Sequence, residues 1–398
     1  MINQFKVPAT EIRQRTARIQ DQMKNSGIDG LFIMQRRDLF YFSGTAQNGY
    51  LYIPVEGEPL LIIKKYMPRA LEETSIKQVV ELQSVKEIPS LIHDFYGRLP
   101  NVLCFEFDVL PVNEFNFYRQ IFSEQEHVDG SPLIHKIRMI KSGWEIEQME
   151  RTAELSRKTF EHMRTAMQPG LKEIEFGGIY ETFSRKMGHS GQIMVRDWQM
   201  VVFPWHVLSG KSGGMVGCID APMTGEGTSA AFPYGGGPKL LAANEPILID
   251  FGTVLNGYHL DETRMFAIGS MPEKAMKACK VAIEIHDEIL DKLKPGMTVG
   301  ELFETSVNKA KLLGYSDTYL GPPDHKVSFV GHGVGLELIE HPIIAKGKQD
   351  ILVPGMTLAL EPKIVFENEF AAGIESVMLV TEKGCRLLSK VPVEVFIC

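Results

Sequence analysis

One short segment constrains the local fold more tightly than any other part of the chain. Asn256-Gly257 lies between two apolar, strand-like runs. Asn-Gly is the strongest short signal for a two-residue β-hairpin, because both central residues of its turn need positive φ. If this turn closes a hairpin, facing residues have numbers that sum to 513, so Asp250 faces Thr263. Asp261 then lies on the same face as Asp250, roughly 7–8 Å away and within side-chain reach.

A second carboxylate pair follows the same logic nearer the C-terminus. Glu361 and Glu375 each lie in a strand-like run, and their midpoint falls in the polar segment Glu367-Asn368-Glu369. An antiparallel pair around that turn would place the two glutamates opposite each other. A single histidine, His332, lies between two glycines, where the backbone can approach a ligand closely.

Together these side chains are the ligand set of a site for two divalent metal ions. A lone Asp or Glu is usually a solvated surface charge, and a lone His is more often structural. Here, however, the carboxylates lie in apolar strands, where an unpaired carboxylate is costly unless it is paired or binds a metal. Oxygen ligands with one nitrogen suit Mn²⁺, Zn²⁺, Co²⁺ or Fe²⁺ rather than a thiolate site. The predicted ligands are Asp250, Asp261, His332, Glu361 and Glu375.

Composition excludes several other classes of protein. The net charge of −8 gives no reason to expect nucleic acid or an anionic membrane as a partner. We find no apolar run of the length of a signal peptide or a membrane span. The five cysteines are scattered without a C-x-x-C pair, which favours reduced thiols and a cytoplasmic location.

The length of 398 residues predicts two or three domains. Residues 1–136 alternate helical and strand-like segments, as in a layered α/β domain. Residues 137–398 contain an internal echo: Pro169-Gly170 and Gly188 recur as Pro295-Gly296 and Gly314, in both cases 126 residues later. Such self-similarity predicts two duplicated ααβ-type halves.

At these residues the chain resembles the creatinase / aminopeptidase P / prolidase family, whose catalytic domain has the "pita-bread" fold. The similar segments are Asp250 to Arg264, Gly331 to Leu336, Leu360-Glu361-Pro362, Gly373-Ile374-Glu375 and Arg138 to Glu147. The resemblance implies an α/β (α+β) protein with a creatinase-like domain over residues 1–136 and a pita-bread domain over residues 137–398. It also implies two divalent metal ions, with Mn²⁺ expected first and Zn²⁺, Co²⁺ or Fe²⁺ as alternatives, and a homodimer.

Three positions depart from the pattern of prolidase-like relatives. Pro233 and Ile339 stand where histidines are usual, and Gly373 stands where an arginine binds the substrate carboxylate. Tyr234 could supply a hydroxyl in place of the first histidine. His341, two residues beyond Ile339 and on the same face of an extended segment, is the candidate for the second.

A glycine-rich stretch, residues 209–237, precedes the first predicted ligand. A loop of this length in a compact domain is often functional, and a merely flexible loop is the alternative. Its Ser209-Gly210-Lys211-Ser212 segment lacks the full spacing of a phosphate-binding loop. His206, just before it, is a further candidate for the pocket.

The resemblance implies an Xaa-Pro peptidase in which a metal-bound hydroxide attacks the peptide bond. Glu361 would act as general acid/base for that water, and His341 or Tyr234 would donate a hydrogen bond to the oxyanion. Two alternatives stay open. One is a non-peptidase on the same scaffold, such as a dimethylsulfoniopropionate lyase-like enzyme or a small-molecule C–N hydrolase. The other is a non-catalytic peptide-binding module, for which lost ligands would be expected. Under either enzyme hypothesis the substrate is a small peptide or another small molecule.

Overall fold

The computed structural model describes residues 5–196 and 205–398. Contacts group the chain into two units, Met1–Arg138 and Met139–Cys398. This division falls two residues after the predicted boundary at 136/137. Within the described residues, none of the helices combines the length and hydrophobicity needed to cross a bilayer.

Unit 1 alternates helices with the strands of one mixed sheet. Its elements are α1 (Ala9–Asn25), β1 (Gly30–Ile33), α2 (Arg36–Ser43), β2 (Gly49–Pro54), β3 (Leu60–Ile63), α3 (Met67–Glu73), β4 (Gln78–Glu81), a 3-10 turn (Val85–Glu87), α4 (Ile88–Tyr96), β5 (Val102–Phe105), α5 (Val112–Ile121), β6 (Glu126–Asp129) and α6 (Ser131–Arg138). The sheet order is β4-β3-β2-β1-β5-β6. Strands β1, β2 and β3 are buried along their whole length, as expected for a sheet covered on both faces.

Unit 2 contains the predicted ligands. Its elements are α7 (Gly143–Ala166), α8 (Glu173–Lys186), β7 (Trp205–Ser209), a 3-10 helix (Gly210–Gly214), β8 (Ile247–Leu255), β9 (Tyr258–Ala267), α9 (Glu273–Lys292), α10 (Val299–Leu312), β10 (Phe329–Gly333), β11 (Glu340–Ala345), β12 (Thr357–Leu360), β13 (Lys363–Phe366), β14 (Phe370–Gly373), β15 (Ser376–Thr381), β16 (Gly384–Leu387) and β17 (Val395–Ile397). Its strands form sheets of order β17-β9-β8-β7 and β11-β10-β12-β15-β16, with β13-β14 as a separate ribbon.

The predicted duplication is visible in the helices of unit 2. Helices α8 and α10 begin and end 126 residues apart. Each is preceded by a glycine in the left-handed region, Gly170 at φ 88° and Gly296 at φ 91°. The segments before the helices form equivalent isolated bridges, Lys172 with Leu240 and Thr298 with Ile351. The two halves therefore repeat the same helix–helix–strand plan.

Candidate metal centre

The hairpin that carries the first two acidic residues has the predicted register. Asn256 and Gly257 both have positive φ, 55° and 86°. Asp250 pairs with Thr263, and Asp261 pairs with Gly252. Asp250 and Asp261 thus lie on one face of the β8–β9 ribbon, as the turn geometry requires.

The second carboxylate pair also faces across its predicted midpoint. Leu360 pairs with Ser376 on one side of the glutamates, and Lys363 pairs with Gly373 on the other, so Glu361 lies opposite Glu375. Each strand-like run is, however, broken at its glutamate rather than continuous. Pro362 has no N–H for a ladder. The Glu361 and Glu375 amides donate instead to Val330 O (2.9 Å) and Thr263 O (3.1 Å).

His332, on β10, has one ring nitrogen fixed and the other turned toward the acidic group. Its Nδ1 lies 3.0 Å from the carbonyl oxygen of Gly333, which can only accept a hydrogen bond, so Nδ1 carries the proton. The lone pair of Nε2 is then available to a metal ion. Nε2 lies 3.8 Å from Asp261 Oδ2 and 3.7 Å from Glu361 Oε1.

Three buried side chains meet the geometric requirement for a metal ion. One ligand atom each from Asp261, His332 and Glu375 lie within 4.8 Å of one another. Glu375 is 1% exposed, and its Oε1 has no hydrogen-bond partner among the described residues. Its Oε2, by contrast, accepts from Thr263 Oγ1 at 2.8 Å. An unsatisfied buried carboxylate oxygen is costly, so this donor set fits a divalent cation.

Lys363, which is not among the residues predicted from the sequence, places its ammonium among the predicted ligands. Nζ is 2.7 Å from Glu361 Oε2, 3.2 Å from Glu375 Oε2 and 3.3 Å from Asp250 Oδ2. The lysine side chain is only 2% exposed. The signal was present: Lys363 lies two residues after Glu361 in an apolar run, where a lysine needs a buried counter-charge.

The electrostatics of the centre divide the carboxylates into two kinds. Burial and the neighbouring negative charges raise the pKa of Asp261 well above its usual range, against the opposing effect of Lys363. Burial is also the main cause that raises the pKa of Glu375 to about 8. Burial would raise the pKa of Asp250 too, but the charges of Lys363 and His206 lower it below its ordinary value. For Lys363, burial is outweighed by the three carboxylates, which raise its pKa well above normal. At Asp261 and Glu375 the neighbouring positive charge therefore does not offset the effects of burial and of the other carboxylates.

His206, the further candidate for the pocket, is a direct neighbour of Asp250. On β7 it pairs directly with Asp250 on β8, so both side chains lie on the same face of the sheet. Burial lowers its pKa, and the charge of Lys363 lowers it further, although Asp250 opposes both. Only the β7–β8 register, which the sequence alone does not supply, reveals this neighbour.

The other predicted catalytic side chains lie at the margin of this group. Tyr234 is partly buried. Its neighbour Gly235 lies close to His206, since a Cβ added at residue 235 would be 3.7 Å from His206 Cδ2. Burial raises the pKa of the Tyr234 hydroxyl. His341, on β11, is exposed. The roles assigned to both residues stay predictions.

The glycine-rich stretch is held at both ends by one buried carboxylate. Glu173 accepts hydrogen bonds from the amide and hydroxyl of Ser209 (2.7 and 2.8 Å) and from the hydroxyl of Ser212. It also accepts from the Gly237 amide at 3.1 Å. In between, Gly214 O accepts from the Asn368 amide, at the β13–β14 turn. The loop is therefore anchored beside the β13–β14 ribbon, which carries Lys363.

Comparison with known proteins places this arrangement in a family. Residues 147–382 match the model of metallopeptidase family M24, and residues 15–140 match the creatinase/prolidase N-terminal domain. An Xaa-Pro dipeptidase of Pyrococcus furiosus is 26% identical over 95% of this chain and 98% of its own length. An uncharacterized peptidase of Bacillus subtilis is 26% identical over 93% of this chain and 96% of its own.

Solved structures agree on the fold. The Xaa-Pro dipeptidase from Bacillus anthracis matches with a TM-score of 0.83 at 23% identity, covering 97% of this chain and 100% of that one. The X-Pro aminopeptidase from Thermotoga maritima matches with a TM-score of 0.80, also at 23% identity, covering 95% and 100%. The predicted fold, a creatinase-like α/β domain followed by a pita-bread domain, is confirmed. Since the matched catalytic segment alone spans more than half of the sequence, the chain belongs to metallopeptidase family M24.

Proposed function

We propose that this protein is a metal-dependent hydrolase of Xaa-Pro peptide bonds. The observation that carries the proposal is the buried group of Asp261, His332 and Glu375, with an unsatisfied carboxylate oxygen, in a chain of this family. Relatives named as Xaa-Pro dipeptidases align along nearly the whole chain, at 24–26% identity. A bound divalent ion polarises a substrate carbonyl and lowers the pKa of water. Mn²⁺ is the ion we propose first, with Zn²⁺, Co²⁺ and Fe²⁺ as alternatives.

The chain's own residues would divide the remaining work. Glu361 is the proposed general acid/base. Its Oε2 is held by Lys363 at 2.7 Å, which fixes the orientation of the carboxylate, while Oε1 faces His332. Thr263 orients Glu375 in the same way. Tyr234 and His341 are the proposed donors to the oxyanion.

Hydrolysis of a peptide panel tests the proposal. Chelated protein and protein reloaded with Mn²⁺ would be compared on Xaa-Pro dipeptides and on longer Xaa-Pro-Yaa peptides. We expect cleavage that depends on the metal and is lost in Asp261→Asn. Absence of cleavage by protein with confirmed bound metal would exclude the peptidase activity.

A second candidate is a non-peptide substrate on the same scaffold, acted on by a lyase or a C–N hydrolase. Gly373 favours it, since the arginine expected there for a substrate carboxylate is replaced by a residue with no side chain. Lys363 cannot substitute for that arginine, because its ammonium is buried and bonded to three carboxylates. Cleavage of longer peptides but not of dipeptides would favour the peptidase. Cleavage of neither would favour the non-peptide substrate.

We also propose a homodimer with a small-molecule or peptide substrate and neither a nucleic-acid nor a membrane partner, on analogy with the family and on the net charge of −8. Light scattering coupled to size-exclusion chromatography measures the mass directly. A cytoplasmic location stays a prediction.

A further inference from the structure

We propose that Lys363 takes the place of one of the two expected metal ions, so that each chain holds a single divalent ion among Asp261, His332 and Glu375. The inference depends on the metal-binding part of the proposed function and not on its substrate. It changes the centre from a pair of ions to one ion beside a fixed ammonium.

The ammonium of Lys363 occupies the position that a second ion would need. Nζ lies at hydrogen-bond distance, 2.7–3.3 Å, from one oxygen each of Asp250, Glu361 and Glu375. A metal ion bound to the same oxygens at roughly 2.0–2.2 Å would have to occupy the same space, because a point close to three oxygens is fixed by them. The ammonium and that ion therefore exclude each other.

The two glutamates each offer one oxygen to the ammonium and keep the other oxygen for a cation. Lys363 uses Oε2 of Glu361 and Oε2 of Glu375. The other oxygens of the same carboxylates remain: Glu361 Oε1 lies 3.7 Å from His332 Nε2, and Glu375 Oε1 is buried without a partner among the described residues. One side of the centre is thus satisfied by the ammonium, and the His332 side still lacks a cation.

The fold leaves room for the stem of Lys363 beside Gly373. Lys363 pairs with Gly373 across the β13–β14 ribbon. A Cβ at residue 373 would lie 2.7 Å from Lys363 Cγ, so the side chain passes over the glycine in the space that an arginine would need. The lysine side chain is only 2% exposed, and a buried ammonium is tolerated only when it is paired. The stem of Lys363 and a side chain at residue 373 therefore compete for the same space.

A second divalent ion placed near Asp250 would lie within a few ångströms of the ammonium, in a low-dielectric setting where like charges repel strongly.

The test is a count of bound ions. Chelated wild-type protein is loaded with excess Mn²⁺, desalted and analysed by elemental mass spectrometry and by electron paramagnetic resonance. We expect one Mn²⁺ per chain with the hyperfine pattern of an isolated ion. Two ions per chain with an exchange-coupled spectrum would overturn the inference while leaving the proposed hydrolase intact. No bound ion would overturn both.

Matched variants locate the ion without relying on activity. Asp250→Asn should keep the single ion, whereas Asp261→Asn, an equally conservative change, should lose it. Lys363→Met removes the charge at similar length and should admit a second ion, giving two per chain and a coupled spectrum. Loss of the ion in Asp250→Asn, or a single ion in a folded Lys363→Met variant, would show that the lysine does not stand in for a metal. If Lys363→Met fails to fold, the wild-type count and the aspartate pair still decide the question.

Discussion

Replacing Gly373 by alanine tests whether the stem of Lys363 packs against residue 373. The new Cβ would lie 2.7 Å from Lys363 Cγ and 3.5 Å from both Lys363 Cβ and Pro362 O. Carbon atoms in contact normally keep about 3.5–4.0 Å. The lysine stem would have to move by several tenths of an ångström while its ammonium is held by three carboxylates. Forcing an extra methyl group into such a site costs about 1–3 kcal/mol.

In calorimetry of the chelated protein we expect Gly373→Ala to lower the Tm of the affected transition by roughly 2–12 °C. Gly178→Ala is the matched control: Gly178 is exposed within α8, and nothing lies within 4 Å of its added Cβ. That change should stabilise the protein by about 0.5–1 kcal/mol, because alanine favours a helix. In a Lys363→Ala background, where Cγ is absent, Gly373→Ala should cost far less than in the wild type. An equal loss in both backgrounds would refute the proposed contact.

Three further predictions address the centre and its hairpin. Between about pH 5 and 8 the metal-free protein should lose stability as pH rises, because the pKa of Glu375, raised from 4.5 to about 8, makes the folded state hold a proton that the unfolded state has already released. Thermal unfolding of Glu375→Gln should show a smaller slope of stability against pH, and an unchanged slope would contradict this. Thr263→Val removes the hydroxyl that donates to Glu375 at 2.8 Å, and titration calorimetry should show a 10–100-fold weaker affinity for Mn²⁺, whereas an unaltered affinity would exclude an orienting role. Gly257→Ala places a side chain on a residue with φ 86°, and denaturant unfolding should show a free energy of unfolding lower by about 1–2 kcal/mol. An unchanged free energy of unfolding would contradict this turn geometry.

The sequence predicted the parts of the centre that depend on local geometry. The Asn256-Gly257 turn sets the register of its own hairpin, so the pairing of Asp250 with Thr263 followed from residue numbers alone. The midpoint at Asn368 gave the opposition of Glu361 and Glu375 in the same way, although Pro362 divides the strands at that point.

What the sequence did not predict depends on contacts between distant segments. His206 reaches Asp250 only because β7 pairs with β8, and 43 residues of chain separate their pairing positions. Lys363 was passed over because a lysine in a strand usually reaches solvent, and its burial follows from the carboxylates and from the space above Gly373. The sequence of the glycine-rich loop is equally compatible with a flexible loop. In the structure Glu173, on α8, binds both ends of the loop.

The most direct test of the central claim is the anomalous scattering of Mn²⁺ in crystals of the reloaded protein. We expect an anomalous-difference peak at roughly 2.0–2.2 Å from His332 Nε2 and from carboxylate oxygens of Asp261 and Glu375. We also expect that Lys363 Nζ still lies beside Asp250, with no second peak there. A peak remote from His332, or no peak in fully loaded crystals, would contradict the assignment of this buried group as the metal centre.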